Sequence, residues 1–286
     1  MSWADRIEIV AAEAPGPGAQ LLAPVGVASG LGTAAGLEVD GGRIDGTLSE
    51  LATGQTAVRI VPEGSGQVRL TYRFAATPAA PRYPDAAFAP RRSRYTEAAE
   101  DLADASRRIA QGAGGGRAGI DALVAEARAR FTYGHVERRF NDGCEVVPFL
   151  GCGVAEGSCV DINTYLVASL RAAGYEAAYL YGYFFPAEKD GTTTDMHCWV
   201  ATRHGSDVLD WDIAHHIKAG LDPVRPALDP RPGQRVLIGH SMGHRYQTAA
   251  SEIAVKLLAE PLWIAADGRV HAPHPRGIRA RSLVPA

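Results

Sequence analysis

Gly157-Ser158-Cys159-Val160-Asp161 opens the segment that decides the fold. From Cys159 to Ala173, Ile162, Leu166 and Leu170 recur every four positions, with Tyr165 and Ser169 beside them. That spacing predicts a helix with one inward stripe, and Gly174 supplies its natural end. Ser158 and Asp161 match the S/T-x-x-D/E helix-start pattern, in which two orphan backbone donors are satisfied reciprocally. Cys159 therefore falls at about the first helical position. Unpaired N–H groups and the positive end of the helix dipole favour a thiolate there. Asp161 works against this, because a nearby carboxylate repels a thiolate. The sulfur needs a further partner, and a protonated imidazole is the usual one.

Two downstream stretches answer to it. Ala177 to Phe185 has almost no polar residues and reads as a central strand. Thr194 to Thr202 reads as a second strand. Its period of two puts His197, Trp199 and Ala201 on one face and Cys198, Val200 and Thr202 on the other. After the turn His204-Gly205-Ser206, Asp207 to Ile213 reads as a third, with Val208, Asp210 and Asp212 sharing a face. Antiparallel neighbours joined by a short turn bring an imidazole and a carboxylate side by side. Cys159 is thus the candidate nucleophile and His197 its base. Asp212 is the candidate orienting acid, with Asp210 as the alternative.

Upstream, residues 1–78 read as a small antiparallel, sandwich-like β module. Arg6–Val10 and Gln67–Phe74 alternate, and Val58–Val61 is a third short run. Residues 79–94 are rich in proline and arginine and read as an extended linker, with Arg91, Arg92 and Arg94 on a solvated surface. Tyr95–Ala110 and Ile120–Phe131 read as helices separated by a glycine-rich connector, and residues 132–157 as a long loop walling a cleft. The catalytic domain is expected to span 95–286.

The 286 residues carry 29 Lys and Arg against 32 Asp and Glu, a net charge of −3, which argues against nucleic acid or an anionic membrane as a partner. No apolar run reaches the roughly 18 residues needed to cross a bilayer. The N-terminus lacks a basic segment followed by an apolar core, so no signal peptide is expected. Four cysteines are too few for a disulfide framework, and a reducing cytoplasm is the expected compartment. Cys144 and Cys152 read as structural. A Cys152–Cys159 disulfide would silence the sulfur, but nothing in the sequence requires one. A metal site from Cys159, His197, Cys198, His215 and His216 fits no zinc spacing, so neither a metal nor a cofactor is expected.

Gly157–Asp161, the helix end Leu170-Arg171-Ala172-Ala173-Gly174-Tyr175, Tyr181-Gly182-Tyr183, Met196-His197-Cys198-Trp199 and Asp210-Trp211-Asp212 together resemble the transglutaminase-like superfamily core. Ala129–Tyr133 resembles the lead-in to that core, and the match covers about residues 95–215. The N-terminal β module and proline-rich linker loosely resemble the bacterial members. The resemblance implies an α+β, papain-like fold, with the cysteine on a helix packed against an antiparallel sheet. It also implies a Cys-His-Asp thiol enzyme that acts on a peptide or protein amide, with water or an amine as acyl acceptor. Hydrolysis is slightly favoured, because nothing marks a dry amine tunnel. The oxyanion donors would be the Cys159 N–H and a group from the 132–157 loop, with Asn141 and Tyr133 as candidates. Cys198 stands where bacterial members often have alanine. Ile213-Ala214-His215-His216 follows Asp212 where they often have proline. No acidic run suggests the calcium sites of the animal crosslinkers.

Two rival readings have their own features. Gly239-His240-Ser241-Met242-Gly243 fits the G-x-S-x-G elbow of a serine hydrolase, although the preceding chain lacks repeated βα units. A catalytically idle transglutaminase-like binding module would not need all three groups.

Overall fold

The computed structural model describes residues 6–11, 14–27, 33–64, 67–75, 82–151, 153–227, 229–248, 252–271 and 279–283. Cys152 lies outside them, so a Cys152–Cys159 pairing does too.

The chain is α+β, and among the described residues its strand pairings are antiparallel, apart from the short parallel pair Phe131–Tyr133 and Ala155–Gly157 and one isolated bridge. Helix α3 (Cys159–Ala172) forms over almost the predicted range. It packs on a four-stranded sheet whose spatial order is Asp207–Trp211, Met196–His204, Glu176–Pro186 and Gly233–His240. Helices α1 (Glu100–Gly112) and α2 (Gly116–Ala129) cover α3 from outside, so α3 is buried nearly all round. Asn163, one turn along α3 from Cys159, donates from Nδ2 to the Cys198 carbonyl at 2.8 Å. That bond pins the start of the helix to the strand carrying His197.

Gly182 pairs with His197 across the two central strands. A Cβ there would lie 1.9 Å from the Val236 carbonyl oxygen. Only glycine lets the Gly233–His240 strand approach here, where a bulge breaks its register between Leu237 and Gly239.

The N-terminal strands form two five-stranded sheets packed face to face. One runs Thr192–Thr193, Arg279–Leu283, Arg6–Ala11, Val68–Ala75, Thr33–Asp40; the other runs Val270–His271, Leu262–Ile264, Gln20–Pro24, Thr56–Pro62, Gly42–Ser49. Ile7, Ile9, Leu21, Ile60 and Leu70 fill the space between them, as the alternation of Arg6–Ala11 requires. The expected boundary assigns everything after residue 95 to the catalytic domain. In the structure the last strands are hydrogen-bonded into the sandwich, so both ends of the chain build it. Trp263 joins the same core, as do Tyr183, Phe185, Val236 and Ile238 of the central sheet.

The proline-rich segment is not an extended linker. Residues 82–92 make a strap, with a turn of 3-10 helix at Asp85–Ala87, across the sheet face opposite α3. Tyr83 and Phe88 are buried against Leu180, Trp199 and Ala201. Arg92 is exposed as expected, but Arg91 is 11% exposed and paired to the fully buried Glu50 at 3.1 Å. Val270–His271 is a short strand, and residues 272–278 lie outside the described range. Among the described residues no helix is long and apolar enough to cross a membrane.

Candidate active site

Cys159 is the first residue of α3. The Asp161 carboxylate accepts from the Ser158 N–H at 2.9 Å and the Ser158 hydroxyl at 2.7 Å, which fixes the helix start. Arg139 lies 3.2 Å from the other Asp161 oxygen. The negative charge expected to oppose a thiolate therefore has its own counter-ion.

His197 projects from its strand with Nε2 2.8 Å from Asp212 Oδ2, which leaves Nδ1 for the Cys159 sulfur; both residues line one cleft, and each shifts the other's titration. Asp212 does not extend the strand as expected. The strand ends at Trp211, and Asp212 caps the short helix α4 (Ile213–Lys218), its Oδ1 accepting from the His215 N–H at 3.0 Å. Asp210 points elsewhere. Its carboxylate is held by Arg82 and by the Tyr83 hydroxyl at 2.9 Å, on the strap side of the sheet.

The electrostatics follow from these contacts. The Cys159 thiol is pulled well below its ordinary value by a hydrogen bond from Cys198, then by the bond and charge of His197, against the opposing effect of burial. Burial alone would lower the His197 pKa. The charge and hydrogen bond of Asp212, with help from Cys159, overcome this and raise it to about 9. Burial would raise the Asp212 pKa, but His197, His215 and Arg235 hold it well below the usual carboxylate range. Both shifts favour a thiolate facing an imidazolium.

Residues 103–211 match the family model for the transglutaminase-like superfamily. Over that stretch the chain is similar to the transglutaminase-like core. No curated protein matches it significantly. Among solved structures it is similar to a candidate cysteine protease from Cytophaga hutchinsonii, at 12% identity over 96% of both chains with a TM-score of 0.47. It is also similar to the periplasmic domain of TgpA from Pseudomonas aeruginosa, at 17% identity over 73% of this chain and 74% of that one, TM-score 0.39.

Several residues around the transglutaminase-like core were not singled out for the site by the sequence. His215 stacks on His197, with ring centroids 4.2 Å apart and planes within 6°, and its Nδ1 lies 3.0 Å from Asp212 Oδ2. Arg235 donates to the same oxygen at 2.5 Å. The doublet after Asp212 was the available signal for His215; Arg235 had none. His197, Asp212 and His215 offer possible metal-ligand atoms within 4.8 Å of one another, but the Arg235 guanidinium already occupies a cation's place on the shared carboxylate.

Cys198 points to the α3 side of the sheet, as its period predicts, yet it still meets Cys159, because the helix start sits across the strand. The Tyr179 hydroxyl contacts Cys198 Sγ at 3.1 Å. Burial, then the neighbouring Cys159, push the Cys198 pKa up, so Cys198 keeps its proton and donates it.

A cleft of about 100 Å³ opens on the sulfur, lined among others by Tyr133, Phe184, His197 and Lys218. Of the two oxyanion candidates, Tyr133 lines it, whereas Asn141 is buried in the preceding loop and does not. A larger cavity of about 730 Å³ lies between the strap, α1 and the far end of α3, and touches neither Cys159, His197 nor Asp212.

Ser241 is buried in a turn between the strands Gly233–His240 and His244–Gln247, with its hydroxyl 3.0 Å from His240 Nδ1. A strand follows it where the hydrolase elbow requires a helix. Burial also lowers the His240 pKa to about 3, leaving a poor base.

Proposed function

We propose that the chain is a cysteine enzyme that opens amide bonds of peptides or proteins through a thioester, with water as the preferred acyl acceptor. The observation that supports this is one arrangement: Cys159 at a helix start, sharing a cleft with His197, whose Nε2 rests on Asp212 at 2.8 Å. The Cys159 thiolate attacks the amide carbonyl carbon, and the S–C bond forms as the carbonyl π pair moves to oxygen. The Cys159 N–H stabilises that oxyanion, with Tyr133 as the second donor. The His197 imidazolium gives its proton to the leaving nitrogen as the C–N bond breaks. His197, now neutral, takes a proton from water, which attacks the thioester; the S–C bond breaks, releasing the acid and the thiolate. Asp212 holds the ring orientation throughout.

Labelling with iodoacetamide and with a serine-directed fluorophosphonate, the adducts mapped by mass, tests this reading. Fast labelling at Cys159 that His197→Ala slows supports it. Labelling at a free-thiol rate, unchanged in His197→Ala, favours an idle binding module, and adducts at Ser241 favour a serine hydrolase. Turnover of a peptide amide with a fluorescent primary amine present separates the acceptors: a free acid as main product supports hydrolysis, and an amine conjugate supports transamidation.

A further inference from the structure

Lys218, the last residue of α4, places Nζ 3.9 Å from the centroid of the Tyr133 ring, at the cleft that holds Cys159. Lys189 and Arg231 line the same cleft, and Asp195 is the one carboxylate among its lining residues. Arg231 is already engaged by Glu188 at 2.6 Å. Lys218 and Lys189 form no ion pair among the described residues. A chain with a net charge of −3 thus gathers two ammonium groups without an ion-pair partner, against one carboxylate, beside its candidate nucleophile. Solvated surface lysines are usually scattered; these share a small cavity with the sulfur, and Lys218 lies close enough for its charge to interact with that of Cys159.

We infer that this cleft selects acyl donors carrying a carboxylate close to the attacked carbonyl, with Lys218 as the principal specificity residue and Lys189 assisting. The inference rests on the cysteine-enzyme reading above. An ammonium on a flexible stem suits a carboxylate whose exact position varies, such as an acidic side chain or a terminal carboxylate. The Tyr133 face holds the charge in place without neutralising it. The site is open to solvent, so the preference is modest, about three- to tenfold, and is weakened by salt.

Two small alkylating agents test this without a known substrate. Iodoacetate and iodoacetamide both form an S–C bond with Cys159 and release iodide, but only iodoacetate carries a carboxylate. The ratio of their rates at Cys159 cancels any change in thiolate fraction. The expected result is a ratio that falls about three- to tenfold in Lys218→Met, falls less in Lys189→Met, and is retained in Lys218→Arg. In wild-type protein it also declines as sodium chloride rises to 0.5 M. Peptide amides with glutamate at the acyl position are turned over faster than glutamine counterparts, and Lys218→Met removes the difference. A wild-type ratio in Lys218→Met, or one indifferent to salt, overturns the inference while leaving the cysteine enzyme standing. If neither reagent labels Cys159 faster than a free thiol, the underlying reading fails and takes the substrate assignment with it. Should Lys218→Met fail to fold, the salt dependence of the wild-type ratio decides alone.

Discussion

Asp212 Oδ2 lies 2.8 Å from His197 Nε2, and the same oxygen also meets His215 Nδ1 at 3.0 Å and Arg235 Nη2 at 2.5 Å. One carboxylate oxygen thus joins three basic groups, which fixes the His197 ring and keeps it protonated. Asp212→Asn preserves the shape and removes the charge. The expected loss in kcat is about a hundred- to ten-thousand-fold. The sign of the pH effect follows from the pair. A raised imidazole pKa and a depressed thiol pKa are the two limits of the thiolate–imidazolium state, which is lost on the alkaline side near 9. Without the Asp212 charge the imidazolium is less favoured, so the thiol ionises later. The acid limb of iodoacetamide labelling moves to higher pH in Asp212→Asn; a limb at its wild-type position would refute the coupling.

Cys198 predicts a separate effect on the same sulfur. Its thiol accepts from the Tyr179 hydroxyl and, by donating towards Cys159, holds the Cys159 pKa down, so buried groups favour the thiolate. Cys198→Ala removes the donor and strands the Tyr179 hydroxyl. The apparent Cys159 pKa, read from the pH dependence of alkylation, should rise by about half to one unit, and kcat should fall at pH 6 more than at pH 8. Cys198→Ser restores a donor and most of the effect. Equal loss in both variants, at every pH, would mean that Cys198 only packs.

What could be read from the chain, and what could not, follows from the range of the forces involved. Helix α3 was legible because Ile162, Leu166 and Leu170 repeat locally, and its boundaries came out within one residue. The alternation Met196–His204 located His197 for the same reason. The partners of the site come from segments with no local mark: Arg235 from a strand more than 20 residues on, and Lys218 from a helix of six residues. Strand alternation places Cys198 on the face opposite His197. That is true of the strand, but not of a sulfur lying across it. Strands 262–264 and 279–283 carry no signal of where they pair, and Pro/Arg-rich composition hid the two aromatic anchors Tyr83 and Phe88 in the strap.

The two aspartates that the sequence left as rivals should separate cleanly by mutation. Asp210 fastens the strap: it accepts from the Tyr83 hydroxyl, which in turn accepts from Trp199 Nε1 at 3.1 Å, and Arg82 closes over it. Asp210→Asn weakens this latch by about 1–2 kcal/mol, leaving a buried network partly unsatisfied. The expected readouts are a lower melting temperature and faster proteolysis within residues 82–92, with the Cys159 labelling rate largely retained. A collapse in labelling with melting unchanged would return the role of triad acid to Asp210.

Glu50 predicts where acid unfolds the protein. Its side chain is fully buried and accepts from the backbone N–H groups of Arg245 and Thr53, the Thr53 hydroxyl and the Arg91 guanidinium. Burial would raise its pKa, but these donors bring it down to about 2. A carboxyl depressed on folding contributes stability that is fully present above its unfolded value, near 4.5, and is lost as pH falls towards the folded one. The contribution is on the order of 3 kcal/mol. Because Glu50 ties the sandwich to both the strap and the His244–Gln247 hairpin, its protonation should loosen all three together. Urea unfolding between pH 2 and 5 should show wild-type stability dropping steeply across this window. Glu50→Gln should be less stable than wild type at pH 7, with a much shallower slope below 4.5. Equal slopes in the two proteins would mean that other carboxylates govern the acid transition.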